Sequence, residues 1–374
     1  MGRSHSNGGG PGARSGPGDS PKARRRGRED EPDLRDLLGG DIEEWGGELW
    51  FAAGHTSGGA PYGVRLAELE RDEAATSGSR WARAKRLLQR AFVDDAPEVG
   101  RVRYLGEGLA RTAWVADVVA GSFAGAAVVL LPHDDVDDTY AKRVRRECRI
   151  LAALARADAL PFRVARPLAL LIDDDRPVLV EEFARGIPLD MRSGRGPRPW
   201  RVIGQAAAAV HALNVDVPGP STRREVALAA IAGLEAHRRR HAAVADALDF
   251  AMAALPDPTR PTSFIHGDLL GQNILWSPDN EPPTLIDFEN AERGDPAQEL
   301  AIVTRGVRRP FGVEGGLAKL LDEYAASAGH EVRAIDVHLY EALLLAGQVV
   351  SYLRCEPLAT PPMLQTLVSL LRRV

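Results

Sequence analysis

Residues 264–276 read Phe-Ile-His-Gly-Asp-Leu-Leu-Gly-Gln-Asn-Ile-Leu-Trp. Apolar residues open and close it, and between them Asp268 stands five residues before Asn273. This pattern predicts a polar loop between two short buried strands. A single aspartate before a turn is most often a turn or cap residue, so the loop alone is a weak indication of a functional site.

A second segment strengthens the prediction. Residues 284–291 read Thr-Leu-Ile-Asp-Phe-Glu-Asn-Ala, so Asp287 closes a short apolar strand soon after the loop. Carboxylate and amide oxygens are ligands that Mg²⁺ accepts, and a carboxylate can also orient an attacking hydroxyl and take its proton in phosphoryl transfer. We therefore predict Asp268 as the catalytic base and Asn273 and Asp287 as ligands of Mg²⁺.

These motifs resemble those of the aminoglycoside phosphotransferase family, whose members share the two-lobed fold of protein kinases. The catalytic-loop motif of the family matches residues 266–273, its metal-binding motif matches residues 286–288, and its Gly-Asp-Pro motif matches residues 294–296. The resemblance covers about residues 100–355. It implies an α+β fold with a small β-rich N-lobe and a larger α-helical C-lobe. It also implies transfer of a phosphoryl group from ATP or GTP, with Mg²⁺, to a hydroxylated small molecule such as an aminoglycoside, another antibiotic or a metabolite.

Periodicity and turn residues predict an order of elements that fits two lobes. We predict strands at 102–105, 112–119, 126–131, 166–172 and 177–183, and helices at 77–92, 138–155, 199–213, 222–254, 296–307, 315–328, 334–354 and 360–373. The predicted organisation is a disordered Gly/Pro/Arg-rich tail (1–40), a partly helical N-terminal extension (41–97), the N-lobe (98–183) and the C-lobe (184–374).

The resemblance also implies nucleotide-binding positions in the N-lobe. Gly106 and Gly108 resemble the glycine loop over the phosphates, although a plain hairpin turn has the same pattern. Glu147 resembles the helix glutamate that pairs with a strand lysine. By analogy with the fold, backbone groups from Glu182 to Ala184 are expected to pair with the edge of the base.

The partner lysine of Glu147 is missing. The family pattern places it near Leu130, and none of the four lysines of the chain lies on that strand. The positive charge of this lysine normally neutralises the α- and β-phosphates, and Arg111 and Arg143 are candidate residues to replace it. There are two alternatives. The N-lobe alignment is in error, or the protein is a catalytically silent pseudokinase that binds a nucleotide or small ligand. The three predicted catalytic and metal-binding side chains argue against a silent protein.

In the family, the acceptor lies on C-lobe helices near the catalytic loop, and cationic acceptors favour acidic pockets. The candidate acceptor-binding carboxylates are Glu289, Glu292, Asp295 and Glu299. Surface carboxylates without a function are the alternative, with Asp295 as a helix cap before Pro296.

Composition limits the remaining possibilities. A net charge of -5 gives no indication of nucleic-acid binding, and 44% hydrophobic with 26% charged residues is ordinary for a globular protein. No apolar run is long enough to span a membrane. Two cysteines offer no disulfide framework, so we expect a cytoplasmic protein. A protein kinase is disfavoured because the space after Asp287 is too short for an activation loop. The acceptor and the oligomeric state stay open.

Overall fold

The computed structural model describes most of the chain from residue 42 onward. The described residues are 42–45, 48–55, 61–65, 77–108, 110–137, 139–157, 160–192, 196–278, 282–355 and 361–374. The disordered tail that we predict for residues 1–40 lies outside them.

The first described elements form a small antiparallel sheet and a helix. Strands β1 (Ile42–Trp45), β2 (Glu48–His55) and β3 (Pro61–Arg65) pair in chain order, which the sequence reasoning did not predict. Helix α1 (Ser77–Ala91) follows and confirms the helix predicted at 77–92. The extension is therefore partly helical, as expected, but it also contains strands.

The N-lobe is built on one larger sheet. Its strands are β4 (Glu98–Val99), β5 (Arg103–Glu107), β6 (Arg111–Ala120), β7 (Phe123–Pro132), β9 (Pro167–Asp173) and β10 (Arg176–Glu182). They are antiparallel in the order β4-β6-β7-β10-β9, and β5 pairs with β6. The five predicted strands of this region are confirmed, with ends that differ by a few residues.

The two faces of this sheet bury different helices. Side chains alternate along a strand, so neighbouring residues face opposite ways. Val129 belongs to a core on one face with Leu87 of α1. Val128 belongs to the core on the other face with Ile150 of α2 (Tyr140–Leu154). The second core continues without a break into the helical part of the chain, so it joins the two lobes.

The C-lobe is mainly helical, as predicted. Its helices are α3 (Pro199–His211), α4 (Arg223–Glu235), α5 (Ala242–Ala253), α6 (Pro296–Thr304), α7 (Gly316–Ala328), α8 (Ala334–Cys355) and α9 (Leu364–Leu371). The single helix predicted at 222–254 is wrong, because two helices, α4 and α5, occupy this range. Among the described helices, none combines the length and apolar character that crossing a membrane requires.

A set of short strands holds the polar loops. These are β8 (Arg163–Val164), β11 (Ile187–Pro188), β12 (Ser263–Ile265), β13 (Ile274–Trp276), β14 (Thr284–Leu285) and β15 (Glu292–Gly294). They pair in the order β11-β13-β14-β8, and β12 pairs separately with β15. The loop that carries Asp268 runs from β12 to β13, and β14 leads directly to Asp287. The predicted loop and hairpin are thus present.

Candidate active site

The loop between β12 and β13 is held in one conformation by close packing. Gly267 has φ of +81°, and a Cβ atom there would lie 2.4 Å from the carbonyl oxygen of Asn290. Only glycine meets both requirements without strain. The imidazole of His266 is fully buried, and its Nε2 lies 2.9 Å from the carbonyl oxygen of Ile286. The loop is therefore fixed to the segment that carries Asp287.

Glu299 of α6 braces the same loop from below. Its carboxylate accepts the backbone N–H groups of His266 at 2.6 Å, Gly267 at 3.1 Å and Leu269 at 3.3 Å. His211 Nε2 lies 3.7 Å from the carboxylate. Burial raises the pKa of Glu299, but the neighbouring imidazoles of His211 and His266 and the N–H group of His266 outweigh it and lower the pKa. Glu299 is 0% exposed, so its predicted role in acceptor binding is wrong.

Asp268 and Asn273 meet within the loop. The Asn273 amide Nδ2 donates to the Asp268 carbonyl at 2.8 Å and to its Oδ2 at 3.0 Å. With Nδ2 so placed, the amide oxygen Oδ1 is directed away from Asp268. The pKa of Asp268 is raised, first by burial and then by the negative charge of Asp287. The structure thus brings Asp268 and Asn273 into contact and places Asp287 close enough for its charge to act on Asp268.

Asp287 stands in an unusual backbone conformation. Its φ of 65° and ψ of 60° are left-handed, a region that costs free energy for a residue with a side chain. The surrounding bonds hold it there, since Ile286 N–H donates to the Asn273 carbonyl at 3.1 Å. Its side chain is 36% exposed, so the carboxylate is partly accessible to solvent.

Arg111 of β6 links the two lobes at this point. Its guanidinium donates to both oxygens of Glu147, from Nη1 to Oε2 at 2.6 Å and from Nη2 to Oε1 at 2.9 Å. Nη2 also donates to Asp287 Oδ1 at 2.7 Å. Burial alone would lower the pKa of Arg111, but the charges of Glu147 and Asp287 raise it well above its usual value. Arg143, the other candidate cation, instead lies 3.5 Å from Asp137.

Comparison with known proteins identifies the family. A sequence model of the phosphotransferase enzyme family matches residues 102–337. The chain belongs to this family. It is a phosphotransferase with the two-lobed, kinase-like α+β fold that its residues predict. A search of curated protein sequences finds no match to it.

Solved structures show the same fold at low identity. APH(2″)-IIIa, solved in a complex with GDP and kanamycin, has a TM-score of 0.56 and 17% identity, over 77% of this chain and 97% of that chain. The aminoglycoside phosphotransferase APH(4)-Ia has a TM-score of 0.56 and 16% identity, over 77% and 97%. The macrolide 2′-phosphotransferase MphH of Brachybacterium faecium has a TM-score of 0.51 and 19% identity, over 77% of this chain and 97% of that chain.

The predicted glycine loop of this phosphotransferase family member joins β5 to β6. Gly108 N–H donates to the Arg111 carbonyl at 2.8 Å, which closes the hairpin. A Cβ at Gly106 would meet no described atom within 4 Å, and one at Gly108 would lie 3.5 Å from the Arg111 carbonyl oxygen. Packing within the protein therefore does not require either glycine, and the role of both in phosphate binding stays a prediction.

The connection between the lobes uses part of its backbone internally. Glu182 N–H donates to the Arg166 carbonyl and Phe183 N–H to the Ala126 carbonyl, both at 2.8 Å. Neither donor is free for a base. The predicted pairing with a base edge is therefore left to the remaining backbone groups of Glu182 and Ala184, and it stays a prediction.

The other predicted acceptor-binding carboxylates are partly or fully buried. Asp295 is 1% exposed and accepts the Ala297 N–H at 3.0 Å, as the cap of α6, and the Tyr340 hydroxyl at 3.1 Å. Its predicted acceptor-binding role is wrong, and the alternative of a helix cap is confirmed. Glu289 is partly buried, and its Oε2 lies 4.0 Å from Nη2 of Arg111. Burial raises the pKa of Glu289 and also that of Glu292.

Sequence reasoning missed one ionisable side chain near this site. Glu181 of β10 pairs with Val128 of β7, so its half-buried side chain lies on the sheet face that carries Val128. Burial, followed by the charge of Glu147, raises the pKa of Glu181 to about 8. The available signal was the position itself, two residues after the buried Leu179 on the same face of an apolar strand.

Proposed function

We propose that the protein transfers the γ-phosphoryl group of Mg²⁺-bound ATP or GTP to a hydroxyl group of a small molecule. The observation that carries this proposal is the grouping of Asp268, Asn273 and Asp287 on one loop and its neighbouring hairpin. Asn273 contacts Asp268 directly, and Asp287 raises the pKa of Asp268 by its charge. The solved structure of APH(2″)-IIIa with GDP and kanamycin supports the choice of a nucleotide and a hydroxylated acceptor.

Asp268 is the proposed general base. Its carboxylate accepts the proton of the acceptor hydroxyl as the acceptor oxygen bonds to the γ-phosphorus and the bond from that phosphorus to the bridging oxygen breaks. The products are the phosphorylated acceptor and the nucleoside diphosphate. The Asn273 amide fixes the Asp268 carboxylate by a 3.0 Å hydrogen bond, so the base is oriented before the acceptor arrives.

Asn273 and Asp287 are the proposed protein ligands of Mg²⁺. In the part of the chain that the structure describes, no group of three or more His, Cys, Asp or Glu side chains could hold a metal by itself. Magnesium bound together with a nucleotide fits this finding, because it takes one or two protein groups and completes its shell with phosphate and water oxygens. When bound, it would neutralise charge on the transferring phosphate.

The proposed acceptor need not be a polycation. Asp295 and Glu299, two of the carboxylates predicted to form an acidic acceptor pocket, are buried and bonded within the protein. Glu289 lies beside Arg111. We therefore propose a hydroxylated small molecule without requiring several positive charges on it. Action in the cytoplasm fits the supply of ATP and GTP there.

The experiment is a mass-spectrometric assay of phosphorylated products, with Mg²⁺-ATP and Mg²⁺-GTP and a panel of aminoglycosides, macrolides and other hydroxylated metabolites. Phosphate release without an acceptor is measured in parallel, because water can then take the place of the hydroxyl. We expect Asp268→Asn to lower both rates at least about 100-fold, the size typical of a general base. Asp216→Asn, on an exposed surface carboxylate, is the matched control and should leave both rates unchanged.

Two results would contradict the proposal. A folded Asp268→Asn protein with the wild-type rate would remove the assigned base. A wild-type protein that binds Mg²⁺-nucleotide but neither phosphorylates the panel nor releases phosphate would favour the silent pseudokinase.

A further inference from the structure

The register of the sheet explains how a residue of β6 reaches the place expected of a lysine on β7. Ala113 pairs with Leu130, and Arg111 pairs with Pro132. Paired residues point to the same face, and so do residues two apart on one strand. Arg111 and Leu130 therefore project from one face as diagonal neighbours, which are about 7–8 Å apart and within reach of a long side chain.

We propose that Arg111 is the residue that neutralises the α- and β-phosphates of the nucleotide, from β6 instead of β7. This inference rests on the proposed function. Glu147 anchors the guanidinium through both of its oxygens, as it would anchor a lysine. The charge that the family places on one strand is then supplied by the neighbouring strand, on the same face and against the same glutamate.

The hydrogen bonds of Arg111 leave it capacity for a ligand. A guanidinium has five N–H donors, and three hydrogen bonds go to Glu147 and Asp287. Two donors remain for phosphate oxygens. The contact with Asp287 also joins Arg111 to a proposed magnesium ligand, so the cation lies beside the place where the metal and the phosphates would meet. The remaining donors are Nε–H and one Nη1–H, because Glu147 occupies the Nη1–Nη2 edge and Asp287 takes the second Nη2 hydrogen.

Arg143 does not meet the same requirements. It pairs with Asp137 at 3.5 Å, and its side chain is 35% exposed. Leu130 itself is 8% exposed and packs in the core that joins the lobes. Of the two cations weighed from the sequence, only Arg111 contacts both Glu147 and Asp287.

The test compares ligands with and without phosphates. Calorimetric titration measures the affinities of Mg²⁺-ATP, Mg²⁺-GTP, adenosine and guanosine for the wild type, Arg111→Met and Arg143→Met. We expect Arg111→Met to weaken triphosphate binding on the order of 100-fold, as loss of one buried charged contact does. Its nucleoside affinity should stay within about threefold, because the base site lacks this contact. Arg143→Met should match the wild type for every ligand.

A relocation variant tests whether the position of the charge matters. Leu130→Lys, added to Arg111→Met, returns a cation to the same face opposite Glu147. We expect it to recover at least about tenfold in triphosphate affinity and in phosphate release, since one order of magnitude is a modest part of a charged contact.

Arg111→Met leaves the carboxylates of Glu147 and Asp287 without their arginine partner, which can prevent folding. A second pair of variants therefore keeps the proposal testable. Arg111→Gln combined with Glu147→Gln removes both charges together, and Glu147→Gln alone keeps the arginine. If the folded double variant binds triphosphates as tightly as Glu147→Gln alone, Arg111 does not hold phosphates. If the loss of Arg111 weakens the binding of nucleosides and of triphosphates equally, its role is structural only. A wild type that binds no nucleotide would overturn the proposed function as well, and that measurement comes first.

Discussion

Replacing Glu299 by glutamine should loosen the loop that carries Asp268. The change keeps the size of the side chain but removes its charge and one acceptor. If the remaining oxygen stays with Gly267 and Leu269, the new NH₂ group faces the His266 N–H, and two donors then oppose each other. The His266 bond, 2.6 Å long in the wild type, is lost.

The magnitude follows from these three bonds. A buried N–H without an acceptor costs about 1–3 kcal/mol. The bonds from Gly267 and Leu269, at 3.1 and 3.3 Å, change from charge-assisted to neutral, which costs a further fraction to about 1 kcal/mol each. Because such contributions are not additive, we expect a loss of about 3 kcal/mol in the free energy of unfolding.

Denaturant unfolding followed by circular dichroism measures this loss, and phosphate release measures its effect on turnover. Glu314→Gln is the matched control, because the Glu314 side chain is 86% exposed and its carboxylate pairs with the exposed Arg309. We expect the control to change stability by less than about 0.5 kcal/mol. A Glu299→Gln protein as stable and active as that control would refute the bracing of the loop. Lost stability with unchanged turnover would show that the brace does not position Asp268.

Two further predictions concern the same region. Gly267→Ala should cost at least about 2 kcal/mol more stability than Gly329→Ala in thermal melts, since both positions have positive φ but only the first Cβ would collide with a backbone oxygen; equal costs would contradict the packing argument. Glu181→Gln is compared with the wild type by denaturant unfolding without nucleotide and metal. The difference in the free energy of unfolding should shift by about 2 kcal/mol in favour of the variant as the pH rises from 6 to 9. The pKa of Glu181 is raised from 4.5 to about 8, so the folded wild type keeps a proton that the unfolded chain releases, and its stability falls as the pH rises through this range. A difference independent of pH would show that Glu181 does not titrate there.

The sequence predicted the elements of the lobes because most of them have local signals. Strands β6 and β7 are long and apolar, and α6 begins with Asp295 and Pro296, a cap and a first-turn proline. The break between α4 and α5 was missed because residues 236–241 contain neither glycine nor proline. There one helix ends and the next begins after His241, whose ring accepts the Ala243 N–H at 3.1 Å as an N-cap. A histidine cap is a weak signal in a sequence.

The candidate site was predictable where its residues are close in sequence. Asp268 and Asn273 share one loop, and Asp287 follows on the paired strand, so spacing alone brought them together. Asp295 and Glu299 were misjudged for the opposite reason. Acidic residues at the start of a helix are usually exposed. Here the backbone N–H groups of the neighbouring loop surround Glu299, and burial of this kind depends on the packing of elements distant in sequence.

Arg111 shows what a strand-by-strand comparison of motifs cannot detect. It lies 36 positions from Glu147 and 176 from Asp287, so no local pattern relates the three. A motif fixes a residue to a place along one strand, whereas phosphate binding needs a positive charge at a place in space. In an antiparallel sheet two strands can supply that place, and the pairing of Ala113 with Leu130 puts Arg111 on the same face as position 130. The leucine at position 130 is therefore no sign of a silent enzyme when the adjacent strand carries an arginine that reaches the same glutamate.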